Sequence, residues 1–171
     1  MQYWYRSQQF WRSLGARLST ADRALVRSRL TAAQYDLFAA MLPRDQVHAL
    51  AVYGAVRRQL PKRQDDQDVA VAVLLHDVGK VGTRLWHRVA YVLLADFALP
   101  WLRRLPQVDP HDFRYPFYAL REHATIGAAL AQAAGCSQPV AHAIALHHGT
   151  PEGAESGDAL ARAIQIADSR W

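Results

Sequence analysis

The sequence predicts an all-α protein, and three observations support this fold class. Apolar residues recur at helical spacing along most of the 171 residues, runs of β-branched residues are few, and proline or glycine follows most periodic segments. With 51% hydrophobic residues, a chain of this length can bury a sizeable core, which excludes a disordered protein. No internal repeat indicates a solenoid, so we expect one helical domain.

The first 30 residues differ from the rest in charge. They contain six arginines and one acidic residue, whereas residues 31–171 carry 14 basic and 14 acidic groups, so this segment holds the whole net charge of +5. Apolar residues at seven-residue intervals predict one amphipathic helix or two short ones. The stripe consists of Trp4, Trp11, Leu18 and Leu25, flanked by Phe10, Leu14 and Ala21.

Two interpretations of this basic segment are open. Residues 1–30 can pack their apolar stripe on, or flank, a domain formed by residues 31–171, with the arginines in solvent. A basic helix that bears tryptophan can instead contact an anionic membrane surface or a nucleic acid. We expect packing on the domain, because apolar faces more often meet their own protein.

The next helices are predicted from their boundaries. A short helix over residues 31–41 ends near Pro43, and Asp45 is the expected N-cap of a helix that runs to about Leu60. A polar loop follows over residues 61–67. Residues 68–75 are ambiguous, because valines alternate with alanines as in a buried strand while the length also suits a buried helix.

The second half of the chain predicts four helices. Thr83 is the expected N-cap of a helix through about Ala98 that Pro100 stops, and its apolar stretch 89–102 is too short to span a bilayer, so we expect a buried helix. A loop occupies residues 106–116.

Glycine, serine and proline mark the last three of these helices. One runs from about Phe117 to Ala134 and stops at Gly135. Another is capped by Ser137, has Pro139 in its first turn and ends at Gly149, and the last begins near Ser156 or Asp158.

The single cysteine and the start of the chain predict a cytoplasmic protein. Cys136 cannot form an internal disulfide, and residues 1–12 are aromatic and basic without the apolar stretch of a cleavable signal.

Several ionisable side chains are predicted on the apolar faces of these helices. Asp168 follows Ile164 by four residues, and a buried carboxylate requires a metal, a cation or a strong hydrogen-bond donor. Core-facing positions are also predicted for four of the eight histidines: His48, His123, His147 and His148. His142 points away from the buried face of its helix. Each of these groups alone is consistent with a salt bridge or a satisfied core histidine, but together they suit Mn, Fe, Zn, Ni or Co rather than Ca.

The stretch from Leu74 to Lys80 reads L-L-H-D-V-G-K and follows a strongly apolar run of valines and alanines. It is not a phosphate-binding loop, because Leu74 stands where that motif requires its first glycine and Val81 where it requires serine or threonine. His76 and Asp77 instead offer two adjacent metal ligands, and the two oxygens of Asp77 can bridge a pair of ions. Lys80 is one turn away.

The order His48, His76-Asp77, His123, His147-His148, Asp168 resembles the HD-domain metal-dependent phosphohydrolase superfamily. The resemblance spans roughly residues 45–168 and rests mainly on H…HD…D with HDVGK. It implies an all-helical bundle with the His-Asp pair on a buried central helix, which assigns residues 68–75 to a helix.

The resemblance also implies roles for individual residues. A first metal would be held by His48, His76, Asp77 and Asp168. As in binuclear members, Asp77 would bridge to a second metal held by His123 and His147, with His148 completing the shell or contacting substrate. One or two divalent ions of Mn, Fe, Ni, Co or Zn are thus implied, and which of the two neighbouring histidines binds metal is left open.

Catalysis of this type needs no serine or cysteine nucleophile, because the metals supply hydroxide from water for attack at phosphorus. Asp77 and Lys80 would be the catalytic residues, with Lys80 meeting the substrate phosphate. Arginines near the cleft are candidates for the same contact, although each is also a typical solvated surface charge. They are Arg84, Arg88, Arg114 and Arg121, of which we single out Arg84 and Arg121.

The expected substrate is a phosphate-containing small molecule such as a nucleotide. The tyrosine of the Gly-Tyr-Pro motif of cyclic-di-GMP phosphodiesterases is absent after the paired histidines, where Gly149-Thr150-Pro151 stands. Gly79-Lys80 replaces the acidic pair of ppGpp hydrolases. The alternative is a catalytically silent HD-fold signalling or nucleotide-binding module whose basic N-terminal segment contacts a membrane or a nucleic acid.

Overall fold

A computed structural model describes residues 17–91, 105–148 and 158–170. Within these ranges the secondary structure is helical and no strand occurs, which confirms the all-α prediction. The helices are α1 (Thr20–Arg29), α2 (Ala32–Ala40), α3 (Pro43–Gln59), α4 (Gln67–Leu75), α5 (residues 85–91, at the edge of a described range), α6 (Tyr115–Ala133), α7 (Gln138–Leu146) and α8 (Ala159–Asp168). Short 3-10 turns cover Pro61–Arg63 and Val78–Lys80.

Helix α4 lies at the centre of the fold. All residues from 69 to 75 are buried, and α1, α2, α3 and α7 pack around them. The Asp66 carboxylate caps the helix by accepting hydrogen bonds from the backbone of Asp68 and Val69. The alternation of valine and alanine in the sequence did not distinguish strand from helix, because every side chain from residue 69 to 75 is buried whichever way it points.

Three predicted helix starts are confirmed by their caps. The Thr31 side chain accepts a hydrogen bond from the Gln34 backbone N–H, and the Gln34 side-chain oxygen accepts one from the Thr31 backbone N–H. Ser137 caps α7 and Asp158 caps α8 in the same way, each by accepting from backbone N–H groups of the first turn.

Helix α6 ends where the sequence predicts and begins two residues earlier than expected. Gly135 adopts a φ of 79°, and the Cys136 N–H donates to the Ala131 carbonyl, which is the Schellman arrangement. At the other end, Pro116 occupies the first turn rather than the preceding loop, because a proline there loses no hydrogen bond.

Two predicted N-caps are wrong. Helix α3 begins at Pro43, and Asp45 is a buried residue of its first turn that pairs with Arg88 instead of capping. Helix α5 begins at residue 85, and the Thr83 hydroxyl donates to the Lys80 carbonyl. In both places a tertiary or local partner takes the side chain that the sequence assigned to a cap.

Two further expectations need correction. Val89 opens the stretch predicted to form a buried helix but is 42% exposed, and residues 92–104 lie outside the described ranges. Helix α7 ends at Leu146, so it stops before the predicted Gly149, which also lies outside them. His147 and His148 follow the helix as a turn.

Only part of the N-terminal stripe falls within the described residues, since residues 1–16 lie outside them. Leu18 is buried and Leu25 packs against the core, but Ala21 is exposed and the fully buried residue of α1 is Val26. Residues 17–30 therefore lie on the domain. The predicted role of the whole segment stays a prediction.

The helix packing brings distant parts of the chain together. Helix α3 packs on α4 and α8, while α6 packs on α7 and on the turn Val78–Lys80 that follows α4. Across the described ranges, none of the helices combines the length and the apolar character needed to cross a membrane.

Candidate metal centre

Five separate stretches of the chain supply one cluster of imidazoles and carboxylates. His48 lies in the middle of α3, His76 and Asp77 directly follow α4, and His123 lies in α6. His147 follows the last residue of α7, and Asp168 is the last residue of α8. His111 and His142 are exposed and lie outside this cluster, as predicted for His142.

Asp77 is the centre of the cluster. Its Oδ1 lies 3.7 Å from His76 Nε2, 3.6 Å from His123 Nε2 and 3.7 Å from His147 Nε2. Its Oδ2 lies 4.0 Å from His48 Nε2. These separations exceed hydrogen-bond length, and they are short enough for one ion to contact several of the atoms.

The backbone sets the tautomer of three of these histidines. Nδ1 of His76, His123 and His147 lies 2.8, 2.9 and 2.6 Å from the carbonyl oxygen three residues earlier. An N–H at Nδ1 that donates to a carbonyl leaves a lone pair at Nε2. All three Nε2 atoms are buried without a hydrogen-bond partner. Buried polar atoms without partners are rare, and a bound divalent cation fits this donor set.

The protonation states suit metal binding. Burial lowers the pKa of His123 to about 3, so its imidazole is neutral at pH 7. Burial alone would raise the pKa of Asp77, but the Lys80 ammonium and the imidazoles around the carboxylate outweigh burial and hold that pKa well below its ordinary value. A neutral imidazole and an ionised carboxylate are the ligand forms of these residues.

The candidate ligands form two groups that share Asp77. Ligand atoms of His48, His76 and Asp77 lie within 4.8 Å of one another, and so do those of Asp77, His123 and His147. Asp168 adjoins the first group, with Oδ1 2.8 Å from His48 Nε2 and 3.9 Å from His76 Nε2. Burial raises the pKa of Asp168, but the hydrogen bond from His48 more than offsets it and keeps the carboxylate ionised.

His147 and His148 occupy different environments. His147 is 2% exposed, with Nε2 directed at Asp77, whereas His148 is exposed and its ring lies 4.7 Å from that of His123. The geometry therefore places His147 among the candidate ligands and His148 at the solvent side of the cluster.

Lys80 contacts Asp77 directly. Its Nζ lies 2.7 Å from Oδ1 and 2.8 Å from Oδ2, because α4 stops at Leu75 and a 3-10 turn folds the lysine back over the carboxylate. Lys80 therefore reaches Asp77 through this turn and not along a continuing helix. Its side chain is 22% exposed, so the ammonium lies between Asp77 and solvent.

Gly79 explains how the turn and α6 come so close. A Cβ atom at this position would lie 2.0 Å from the His123 carbonyl oxygen and 2.7 Å from the Gly127 nitrogen. Both contacts are with backbone, which cannot move aside as a flexible side chain could. The glycine of HDVGK therefore permits the approach that places Asp77 beside His123.

Three of the four predicted arginines pair with acidic side chains. Arg88 pairs with Asp45, Arg114 with Asp112 and Arg121 with Glu122, while Arg84 is exposed.

In a comparison with known protein families, the chain matches the family described as HD domain over residues 46–170. The match covers all the clustered histidines and aspartates. No curated protein and no solved structure matches the chain.

Proposed function

This chain belongs to the HD-domain family, whose members are commonly metal-dependent phosphohydrolases, and from this premise we propose that it hydrolyses phosphate esters with one or two divalent transition-metal ions. The observation that supports the proposal most is the set of buried, unpartnered ligand atoms around Asp77. A catalytically silent module would have no evident reason to bury so many ionisable groups together.

The proposed ligands follow the two groups. His48, His76, Asp77 and Asp168 would hold one ion, and Asp77, His123 and His147 would hold the other. Lys80, Arg84, Arg121 and His148 are proposed to face the substrate. When bound, the metal supplies a Lewis acid for the phosphoryl oxygens and lowers the pKa of water toward neutrality.

The chain's own residues perform the remaining tasks. Asp77 belongs to both groups of ligands, with Oδ1 nearest to His76, His123 and His147 and Oδ2 nearest to His48, so it fixes the two groups relative to each other. Lys80 brings a positive charge to the solvent side of Asp77, where a phosphate would enter. The Nδ1 hydrogen bonds of the histidines keep each Nε2 directed at the cluster, so the site is ordered before substrate arrives.

For the substrate we propose a nucleotide or another small phosphate ester. The absent Gly-Tyr-Pro tyrosine argues against cyclic-di-GMP, and the lysine of HDVGK argues against ppGpp. Contact of the basic N-terminal segment with a membrane or a nucleic acid stays a prediction.

The proposal is tested by measuring hydrolysis of bis-p-nitrophenyl phosphate and a panel of nucleotides with added Mn²⁺ and with EDTA. We expect turnover with Mn²⁺, loss with EDTA and loss in His147→Ala. His142→Ala, an exposed position on the same helix as the His147 turn, should stay within about twofold of wild type, since it contributes nothing to the cluster. Metal binding without turnover of any substrate would instead support the silent nucleotide-binding module.

A further inference from the structure

A buried ion pair joins α3 to α5. The Arg88 guanidinium contacts both oxygens of the Asp45 carboxylate, with Nη1 2.6 Å from Oδ1 and Nη2 2.7 Å from Oδ2. Asp45 is 4% exposed, so its charge is almost fully removed from water. Two parallel hydrogen bonds are the strong form of a contact between arginine and a carboxylate. The pair fixes the first turn of α3 against α5, which carries Arg88.

The same guanidinium holds the hydroxyl of Thr83. Nε and Nη2 of Arg88 donate to Thr83 Oγ1 over 3.2 and 3.1 Å, and this hydroxyl donates to the Lys80 carbonyl over 2.7 Å. A hydroxyl has one donor and two acceptor sites, and these contacts use all three. Thr83 is 3% exposed, so its hydrogen-bonding capacity is directed entirely into the protein.

This network ends at two segments of the metal centre. On one side, Asp45 lies three residues before the candidate ligand His48 in α3. On the other side, the Lys80 carbonyl accepts from the hydroxyl of Thr83 and also from its backbone N–H, which lies 3.1 Å away. The Lys80 ammonium lies 2.7 Å from Asp77 Oδ1. Measured contacts therefore run without a break from the first turn of α3 to the lysine that covers the central carboxylate.

Stability alone does not account for this arrangement. The attraction within a buried ion pair roughly repays the cost of removing its charges from water, and apolar side chains of similar volume are often as stabilising or more so. A buried pair is of use where it selects one arrangement of the chain. The arrangement that Arg88 selects here is that of the turn Val78–Lys80, because Thr83 carries the contact from the guanidinium to the end of this turn.

We propose that Arg88 is a positioning residue: held by Asp45, it fixes Thr83 and thereby the turn that directs the Lys80 ammonium to Asp77 and to a substrate phosphate. This inference rests on the proposed function, in which Lys80 meets that phosphate. Arg88 itself is poorly suited to contact a phosphate, since four of its five N–H groups already donate to Asp45 and Thr83.

The test uses the full chain loaded with Mn²⁺ and measures binding of inorganic phosphate by calorimetry. Thr83→Val keeps the branched side chain and removes the hydroxyl, so phosphate binding should weaken by about three- to tenfold at unchanged metal content. Thr83→Ser restores the hydroxyl and should stay within about twofold of wild type. Thr20→Val, at an exposed threonine of α1, is the matched control and should also stay within about twofold.

Arg88→Lys tests the arginine itself. Lysine keeps a positive charge for Asp45 but lacks the second pair of donors that holds Thr83, so this variant should bind phosphate about as weakly as Thr83→Val. The charge of Asp45 stays compensated in Arg88→Lys, whereas Arg88→Met would bury it without a partner. Thr83→Val leaves the ion pair intact, so the test stands even if Arg88→Lys does not fold.

A double-mutant cycle separates the positioning of Lys80 from a purely structural role. Because the proposed effect passes through Lys80, Thr83→Val should change phosphate binding by less than twofold in the Lys80→Met background. A purely structural network would lower the melting temperature in both backgrounds and leave phosphate binding unchanged. Unchanged phosphate binding by Thr83→Val, an equal loss in both backgrounds, or no phosphate binding by the wild type overturns the assignment.

Hydrolysis measured on the same proteins distinguishes this inference from the proposed function. Phosphate binding that depends on Thr83 and Lys80 together, without hydrolysis of any phosphate ester, would support the positioning role and contradict the enzyme. Hydrolysis by wild type with an unchanged kcat/KM in Thr83→Val and Arg88→Lys would support the enzyme and contradict the positioning role.

Discussion

At the scale of single residues, the cluster is organised by hydrogen bonds that lie outside it. His76, His123 and His147 each direct Nδ1 to the carbonyl three residues earlier, so the helix or turn that carries a histidine also fixes its ring. Such contacts behind a metal ligand commonly set the tautomer and the strength of binding. The imidazoles therefore present Nε2 to Asp77 without rearrangement.

Lys80→Met tests the contact between this lysine and Asp77. Without the ammonium, a buried carboxylate loses its nearest positive charge, so the chelator-treated variant should unfold at a lower temperature than chelator-treated wild type. In the metal-loaded protein kcat/KM should fall by roughly ten- to a thousandfold if Lys80 also meets substrate phosphate.

The chain has one other lysine, Lys62, which provides the control. Lys62 is exposed in the turn Pro61–Arg63, so Lys62→Met should change neither property by a measurable amount. Unchanged kinetics in Lys80→Met on the best substrate found would contradict a role in substrate binding, and an unchanged melting temperature would contradict the ion pair.

Local sequence predicted which faces of the helices point inward but not the partners of long side chains. The spacing of His48, His123 and His147 against apolar residues placed each on a buried face, because helical period alone decides that direction. The partners of Lys80 and Arg88 could not be predicted in this way. The contact of Lys80 depends on where helix α4 stops, and that of Arg88 depends on a residue far away in the sequence. Asp45 and Arg88 are 43 positions apart, so no local pattern relates them.

At the scale of elements, the close packing of α6 on the turn Val78–Lys80 assembles the second group of ligands. Gly79 permits this packing. The atom nearest to a Cβ at position 79 would be the His123 carbonyl oxygen, so the packing also brings His123 close to Asp77. The motif HDVGK is thus a packing motif as well as a ligand motif.

Gly79→Ala should destabilise the protein by about 1–3 kcal/mol or more, since backbone must move to admit the methyl group. The displacement separates Asp77 from His123, so metal affinity should fall as well. Chemical denaturation and metal titration measure the two effects.

Gly54→Ala is the matched control, and we expect it to stabilise the protein rather than destabilise it. Gly54 lies within α3, and a Cβ there meets only the Arg58 side chain at an ordinary 3.6 Å. Alanine in a helix interior is favoured over glycine by roughly 0.5–1 kcal/mol. Equal stability of the two alanine variants would contradict the packing argument.

Helix ends were predicted well where a local signal decides them and poorly where tertiary contacts do. Thr31, Ser137 and Gly135 act within their own turns, and all three predictions are confirmed. Residues 68–75 could not be assigned from pattern, because a helix buried on every side shows no amphipathic period. There the resemblance to the family supplied the assignment that the residues alone left open.

At the scale of the whole molecule, the ligands come from positions 48 to 168 and meet only in the folded chain. Without a cation, the buried Nε2 atoms of His76, His123 and His147 have no hydrogen-bond partner, and this cost is removed when an ion binds. Metal binding and folding should therefore be coupled, as expected when a site exists only in the native state.

The measurement that tests this account most directly is the metal content of the purified protein, determined by plasma mass spectrometry together with its melting temperature before and after chelation. We predict about one to two transition-metal ions per chain, a lower melting temperature after chelation, and loss of the metal in Asp77→Ala but not in His142→Ala or His111→Ala. Protein that takes up no metal from Mn²⁺, Fe²⁺, Co²⁺, Ni²⁺ or Zn²⁺ and whose melting temperature is the same with and without chelator would contradict it.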